Sequence, residues 1–240
     1  MPRLDTVLHV EEALMQLKEL SARSGVSAAS IKYYLREGLL QPGETVTATR
    51  ADYGDGHLRR LELIQALRQI VGLGIGQIRT ILSLADGGAP RLDVLATVQR
   101  VVLGLDNPGT ARGSSAPGPG DAVVRLRRWP DAPSDARNAL NAHLELMQKL
   151  SVPVSPATLD VYSQAMDTVA ALDIRETVAP EDTDQLILTA AVGMHMHSQL
   201  LLKLLALAQA SHAIRALEVH GPENSNAGSL TAHPDGQDGP

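Results

Sequence analysis

Most of the residues that could do chemistry in this 240-residue chain exclude reactions rather than supply them. Cysteine is absent. Its absence removes thiolate nucleophiles, Cys-ligated zinc, iron–sulfur clusters and disulfide frameworks together. His195 and His197 stand two residues apart, and on a helix that separation turns the two rings to different faces. A metal shared on one helical face needs His-x-x-x-His. With His143 and His212 far away in sequence, these imidazoles read most simply as polar residues lining a helical interface or a ligand cavity. Asp182 and Asp184 suit the start of a helix. Gly72-x-Gly74-x-Gly76 resembles a phosphate-cradling loop, but a dinucleotide fingerprint needs a strand before it. What precedes is an amphipathic helical pattern, so the triplet reads as a helix–helix turn. No Ser/His/Asp constellation has motif context. The expectation is therefore no enzyme, no metal and no cofactor.

One run offers more. Between Leu20 and Leu40, Gly25 interrupts a first apolar pair, Leu17 and Leu20. Ser27 is a good N-cap for a second helix, which carries Ile31 and Leu35 at i,i+4 and stops at Gly38. Two short helices around a Gly-containing turn form a helix-turn-helix signature. The second helix begins with small polar residues, Ser27, Ala28, Ala29 and Ser30, which allow close entry into a major groove. Lys32, Tyr33 and Arg36 follow and can reach phosphates or base edges. The competing reading makes Tyr33 and Tyr34 core aromatics and Lys32 and Arg36 a solvated face.

The elements that must position this helix are legible around it. Gln41 to Gly56 holds Pro42, Gly43, Gly54 and Gly56 around a Thr/Val-rich run, which predicts a short hairpin or wing. Leu61, Ile64, Leu67 and Val71 share one helical stripe. Ile78, Ile81 and Leu82 restore the period in a further short helix, closed by Asp86-Gly87-Gly88. The expected organisation has a lead-in over 1–14 and a DNA-binding domain over 15–88. A short connecting or dimerisation helix follows over 89–105, then a Gly/Pro linker over 106–121. A helical effector or dimerisation module spans 122–219, and a disordered tail 220–240. Within that module, helices are predicted near 134–150, 156–172 and 181–219, the last with Gly193 as a possible break. The fold class is mainly α, an N-terminal winged helix-turn-helix followed by an all-helical module.

Net charge is −6, which at first disfavours a nucleic-acid partner. The sum conceals a gradient. Residues 14–86 carry nine Lys/Arg against seven Asp/Glu, and residues 129–240 carry five against fourteen. A mildly basic head thus precedes an acidic body. The most apolar stretch, Leu186 to Leu207, could cross a bilayer on length. Its His195, His197, Gln199 and Lys203 favour a bundle helix instead. No secretory signal is evident, and a cytoplasmic protein is expected.

These motifs resemble those of the MerR family of bacterial transcriptional regulators, in an actinobacterial-type form. The resemblance rests on Val26-Ser27, Ile31-Lys32-Tyr33-Tyr34 and Glu37-Gly38-Leu39-Leu40. It continues through Arg50-Ala51-Asp52-Tyr53 at the wing end, Leu61, Ile64, Leu67 and Arg68 in the next helix, and Ile78-Arg79. Order and spacing agree over about residues 15–85. Thr49 stands where the family usually has an aromatic, and one residue is added near Val71-Gly72. The resemblance implies a homodimer that reads a two-fold symmetric promoter element and distorts it. It makes Ser27, Ser30, Lys32, Tyr33 and Arg36 recognition-helix contacts, Arg50 and Tyr53 wing contacts, and Arg23 a phosphate contact.

Thiolate metal sensing is excluded here. Cationic-drug cages need aromatic walls, and past residue 128 only Trp129 and Tyr162 are aromatic. The C-terminal module is expected to bury an apolar effector, a second subunit or another protein. RNA polymerase is a further candidate partner. The reading from another class is a helical adaptor that binds DNA weakly and recruits a protein through its acidic module.

Overall fold

The computed structural model describes residues 14–47, 50–105, 118–130 and 134–218. The expected lead-in, most of the Gly/Pro linker and the expected tail lie outside them. The chain divides into two units, one up to Met196 and one from His197.

The first unit opens with a two-residue strand, β1 (Met15–Gln16), running straight into α1 (Leu17–Ser24). Gly25 ends α1 in the left-handed region, at φ 69°, where a side chain would be strained. Ser27 then caps α2 (Ala28–Arg36), its hydroxyl accepting from the Ser30 N–H at 3.1 Å. The tight turn between the helices is further closed by Ser21, whose hydroxyl donates to the Val26 carbonyl at 2.6 Å.

The predicted wing is a hairpin of β2 (Glu44–Thr47) and β3 (Arg50–Tyr53). β3 is central, with strand order β1-β3-β2, both pairings antiparallel. The pairing with β1 was not legible in sequence, because two residues show no alternation. Gly43 is required by close approach: a Cβ there would sit 2.6 Å from the Asp52 carbonyl oxygen.

Three helices complete the head: α3 (Asp55–Gln69), α4 (Ile75–Asp86) and α5 (Arg91–Val102). The apolar stripes read from sequence become the core. Leu61, Ile64, Leu67, Ile78, Ile81 and Leu82 are fully buried, each such burial stabilising by about 1.5–3 kcal/mol. The Gly72-Gly74-Gly76 triplet forms the α3–α4 turn. Gly72 is left-handed at φ 82°, and the Gly74 N–H donates to the Gln77 side chain at 2.9 Å. Val94, Val98 and Val101 turn one face of α5 into the same core, so that face is already covered by its own chain.

The rest of the first unit comprises α6 (Asp121–Arg127), α7 (Asp135–Lys149), α8 (Pro156–Thr177) and the start of α9 (Thr183–Glu218). Helix α6 starts at residue 121, where the sequence predicts only the close of the linker. Ile187, Ala190 and Ala191 of α9 pack into the core of the head. Gly193 neither divides nor ends α9. The second unit, as described, is the stretch 197–218 of this helix, and most of its side chains are exposed.

Candidate nucleic-acid interface

Helix α2 is amphipathic in the sense that a docking helix needs. Ile31 and Tyr34 are buried on one face. Ala29, Lys32 and Arg36 are exposed, and Tyr33 is half-buried against the edge of the core. Positions 29, 32, 33 and 36 follow the i, i+3, i+4, i+7 rule and share one face. The two tyrosines therefore divide the roles that sequence left open. Tyr34 belongs to the core, while Tyr33 stands at its margin with the Arg36 guanidinium 5.9 Å from its ring centre. That is within cation–π range and pre-positions the Arg36 head. Lys32 has no ion-pair partner among the described residues.

Ser27 and Ser30 are used locally. Their hydroxyls lie 2.9 Å apart, and Ser27 caps the helix, so both first of all fix the α2 N-terminus. Arg23, at the end of α1, is half exposed, with Asp55 at 3.4 Å. A pair this open is worth little, leaving the guanidinium available. Arg50 opens β3; its side chain lies outside the described features. Tyr53, expected as a wing contact, has its ring turned into the core. It is 6% exposed and its ring meets His57 edge-on at 5.1 Å. The physical reason is its central-strand position, facing the core where Met15 is its cross-strand partner.

Two arginines outside the expected set hold the interface in place. Arg79 of α4 pairs with the Glu37 carboxylate, and its Nε donates to the Glu37 carbonyl at 3.1 Å. It thus ties the end of α2 to α4 across 42 residues of sequence. Arg60 of α3 donates to Asp86 at 2.5 Å and to Asp184 at 2.8 Å, joining α3, the end of α4 and the start of α9. Burial would lower the Arg60 pKa, but the Asp86 hydrogen bond and both carboxylate charges outweigh it and hold it above its ordinary value. Asp184 is pushed up, first by burial and then by Asp182 and Asp86, against the pull of Arg60. Asp182 does what sequence suggested and caps α9, accepting from the Gln185 N–H at 2.9 Å.

Beside the wing lies a cleft of about 430 Å³, with Glu44, His57, Arg59, Arg60 and Asp184 in its walls. His57 Nδ1 accepts from the Gly54 N–H at 3.1 Å, which puts the proton of the neutral ring on Nε2, a buried atom without a partner. No motif marked His57 in sequence. His195 and His197 both make contacts, and no cluster of three metal-capable side chains occurs among the described residues.

Known proteins resemble the head most. Residues 15–85 match the model described as MerR HTH family regulatory protein. The HTH-type transcriptional regulator HmrR of Sinorhizobium medicae is 29% identical over 101 residues, which is 39% of this chain and 68% of that protein. The heavy metal-dependent transcription regulator 2 of Rhizobium meliloti is 28% identical over 99 residues, or 38% and 67% of the two chains. Among solved structures, SCO5550 of Streptomyces coelicolor A3(2), a protein assigned as a transcriptional regulator, superposes with a TM-score of 0.56 at 28% identity. That likeness covers 84% of this chain and 97% of SCO5550, so it extends beyond the head.

Proposed function

Residues 15–85 belong to the MerR HTH family of regulatory proteins, and from that premise we propose that this transcriptional regulator binds a promoter element sequence-specifically as a homodimer. The observation that carries the proposal is the outer face of α2. It presents Ala29, Lys32 and Arg36 to solvent with the half-buried Tyr33 at its margin, while Ile31 and Tyr34 fix the helix from behind and the Arg79–Glu37 pair steadies its end. Ala29 lets the helix approach base edges. Lys32 and Arg36 supply charge for phosphates, and Tyr33 supplies a ring and a hydroxyl. Arg23 and Arg50 flank the helix as phosphate contacts. Two such heads reading a two-fold site place their helices about one DNA turn apart. Promoter distortion fits a head anchored on both sides of the groove, its cost offset by added contacts.

The heavy metals in the names of the relatives do not transfer through thiolates, since this sequence contains none. The acidic body would be kept away from the phosphates and so help to orient the head. The proposed setting is cytoplasmic, with RNA polymerase as a partner at the promoter.

A footprint of the purified chain on the DNA upstream of its own coding sequence, with and without cell extract, tests this. The expected result is a protected two-fold symmetric site whose affinity falls with salt as several released counterions require. Equal binding to random DNA overturns the reading in favour of an adaptor.

A further inference from the structure

The cleft beside the wing has no part in promoter recognition as proposed above. Its volume of about 430 Å³ is that of a small-molecule site. The carboxylates of Glu44, Asp52, Asp182 and Asp184 line it, against the guanidinium groups of Arg59 and Arg60. Arg60 is already committed, to Asp184 inside the cleft and to Asp86 outside it. Glu44 and Arg59 are exposed, and neither forms an ion pair among the described residues. The cleft thus keeps an open negative charge on β2 of the wing and an open positive charge on α3.

The first turn of α3 adds an independent observation. Gly54 and Gly56 stand there without side chains, and the Arg59 head lies 3.9 Å from where a Gly56 Cβ would be. His57 holds its Nε2–H buried without an acceptor. An unmade bond of that kind is rare in a folded protein and calls for a partner. A guanidinium, a helix N-terminus and an orphaned N–H on one turn are all donors, and a carboxylate is the group that accepts from all of them. Glu44 and Asp182 offer acceptors only, which suits an ammonium or guanidinium group.

We propose that this cleft binds a basic amino acid, its carboxylate at the first turn of α3 and its cationic groups at Glu44 and Asp182. The lining carries more carboxylates than guanidinium groups, which favours a cationic side chain over a neutral one. Leu14 and Leu40 give the methylene chain an apolar wall. Among the described residues no Tyr or Trp lines the cleft, so flat aromatic cations gain no stacking there. The start of α9 shares the cleft with the wing, so the bound amino acid ties the two together. The inference does not depend on promoter recognition, because binding is read on the chain without DNA.

Isothermal titration calorimetry on the full chain tests this, with L-arginine and L-lysine and with their decarboxylated counterparts, agmatine and cadaverine. The amino acids are expected to bind with a dissociation constant of about 0.1 mM, the scale for ligands of this size. The decarboxylated amines should bind roughly tenfold more weakly. Arg59→Ala should bring L-arginine down to the level of agmatine, and Glu44→Gln should weaken both about tenfold. Both side chains are exposed, so the far-ultraviolet spectra should match that of the wild type. No heat of binding from either amino acid up to about 5 mM overturns the inference. So does Arg59→Ala that weakens L-arginine and agmatine alike, or L-arginine binding that neither substitution changes. Agmatine binding as tightly as L-arginine to the wild type overturns it in favour of a site for simple cations. A chain that binds L-arginine but protects no promoter site keeps this inference and loses the promoter reading. Promoter protection without amino-acid binding does the reverse.

Discussion

In the head, Leu61, Ile64, Leu67, Ile78, Ile81 and Leu82 have no exposed surface. In α8, from Pro156 to Thr177, the side chains described as buried are the polar Ser163 and Thr177, while Val161, Tyr162, Met166, Leu172 and Ile174 face solvent. Both regions are Leu- and Ala-rich helix, so composition does not explain the difference. Helix length does. The head helices run 8 to 15 residues and turn back sharply, so every apolar stripe meets another within the chain. Helices α8 and α9 run 22 and 36 residues and offer more apolar face than the described residues cover.

The second region is held by polar ties instead. Arg127 pairs with Asp160 and donates to the Ser163 hydroxyl at 2.9 Å. Trp129 Nε1 donates to Asp167 at 2.6 Å, and Arg137 reaches Asp121 at 2.7 Å. Such ties set geometry but add little net stability compared with a core.

The largest expected contrast is in stability. Ile64→Ala should lower the unfolding free energy by about 2–5 kcal/mol, and Leu172→Ala should leave it within about 0.5 kcal/mol, both read by urea denaturation of the chain.

Next comes function against fold. Lys32→Ala and Arg36→Ala should each reduce the salt slope of promoter binding by about one unit with the melting temperature unchanged. Arg79 is itself exposed but sits on α4 rather than α2, and Arg79→Ala should weaken binding to all sequences slightly by freeing the end of α2. Unchanged binding would mean that α2 is fixed without Glu37.

A smaller effect separates Arg60 from these. Arg60→Ala strands two carboxylates and should destabilise by about 1–3 kcal/mol, recovered in part by Asp184→Asn. The sign at Asp184 supports that recovery. Its folded pKa is raised, so its favourable contribution is present in acid and is lost as pH rises through the raised value. At neutral pH the carboxylate depends on Arg60.

The smallest effect is again in the second region. Asp121 is held below its ordinary 3.8 by hydrogen bonds from Arg137 and the Gly118 N–H. Its contribution is therefore present above that ordinary value and is lost as pH falls through the lowered one. Trp129 is the only tryptophan, so its fluorescence reports this region alone. It should respond as pH falls through that lowered value in the wild type and lose that step in Asp121→Asn.

The amphipathic spacing of α2, the stripes of α3 and α4 and the wing were readable because each is a local pattern, set by residues within a turn or two of one another. Ser27 as a cap was readable for the same reason. The burial of Tyr53 was not legible, because a hairpin pattern does not say which strand becomes central. The arrival of β1 decided that. Arg79–Glu37 and Arg60–Asp184 span 42 and 124 residues, and no sequence window contains both members of either pair.

Sequence by itself thus determined the head: short periodic helices, a Thr/Val wing and an α2 face carrying Lys32, Tyr33 and Arg36, together with the exclusion of thiolate chemistry. Tertiary structure alone decided which stripes find partners. Ile187, Ala190 and Ala191 of α9 are covered by the head, while Leu200 to Leu217 of the same helix are not. The reason is that periodicity specifies which residues want to leave water, and only the packed chain shows how much surface it has with which to cover them.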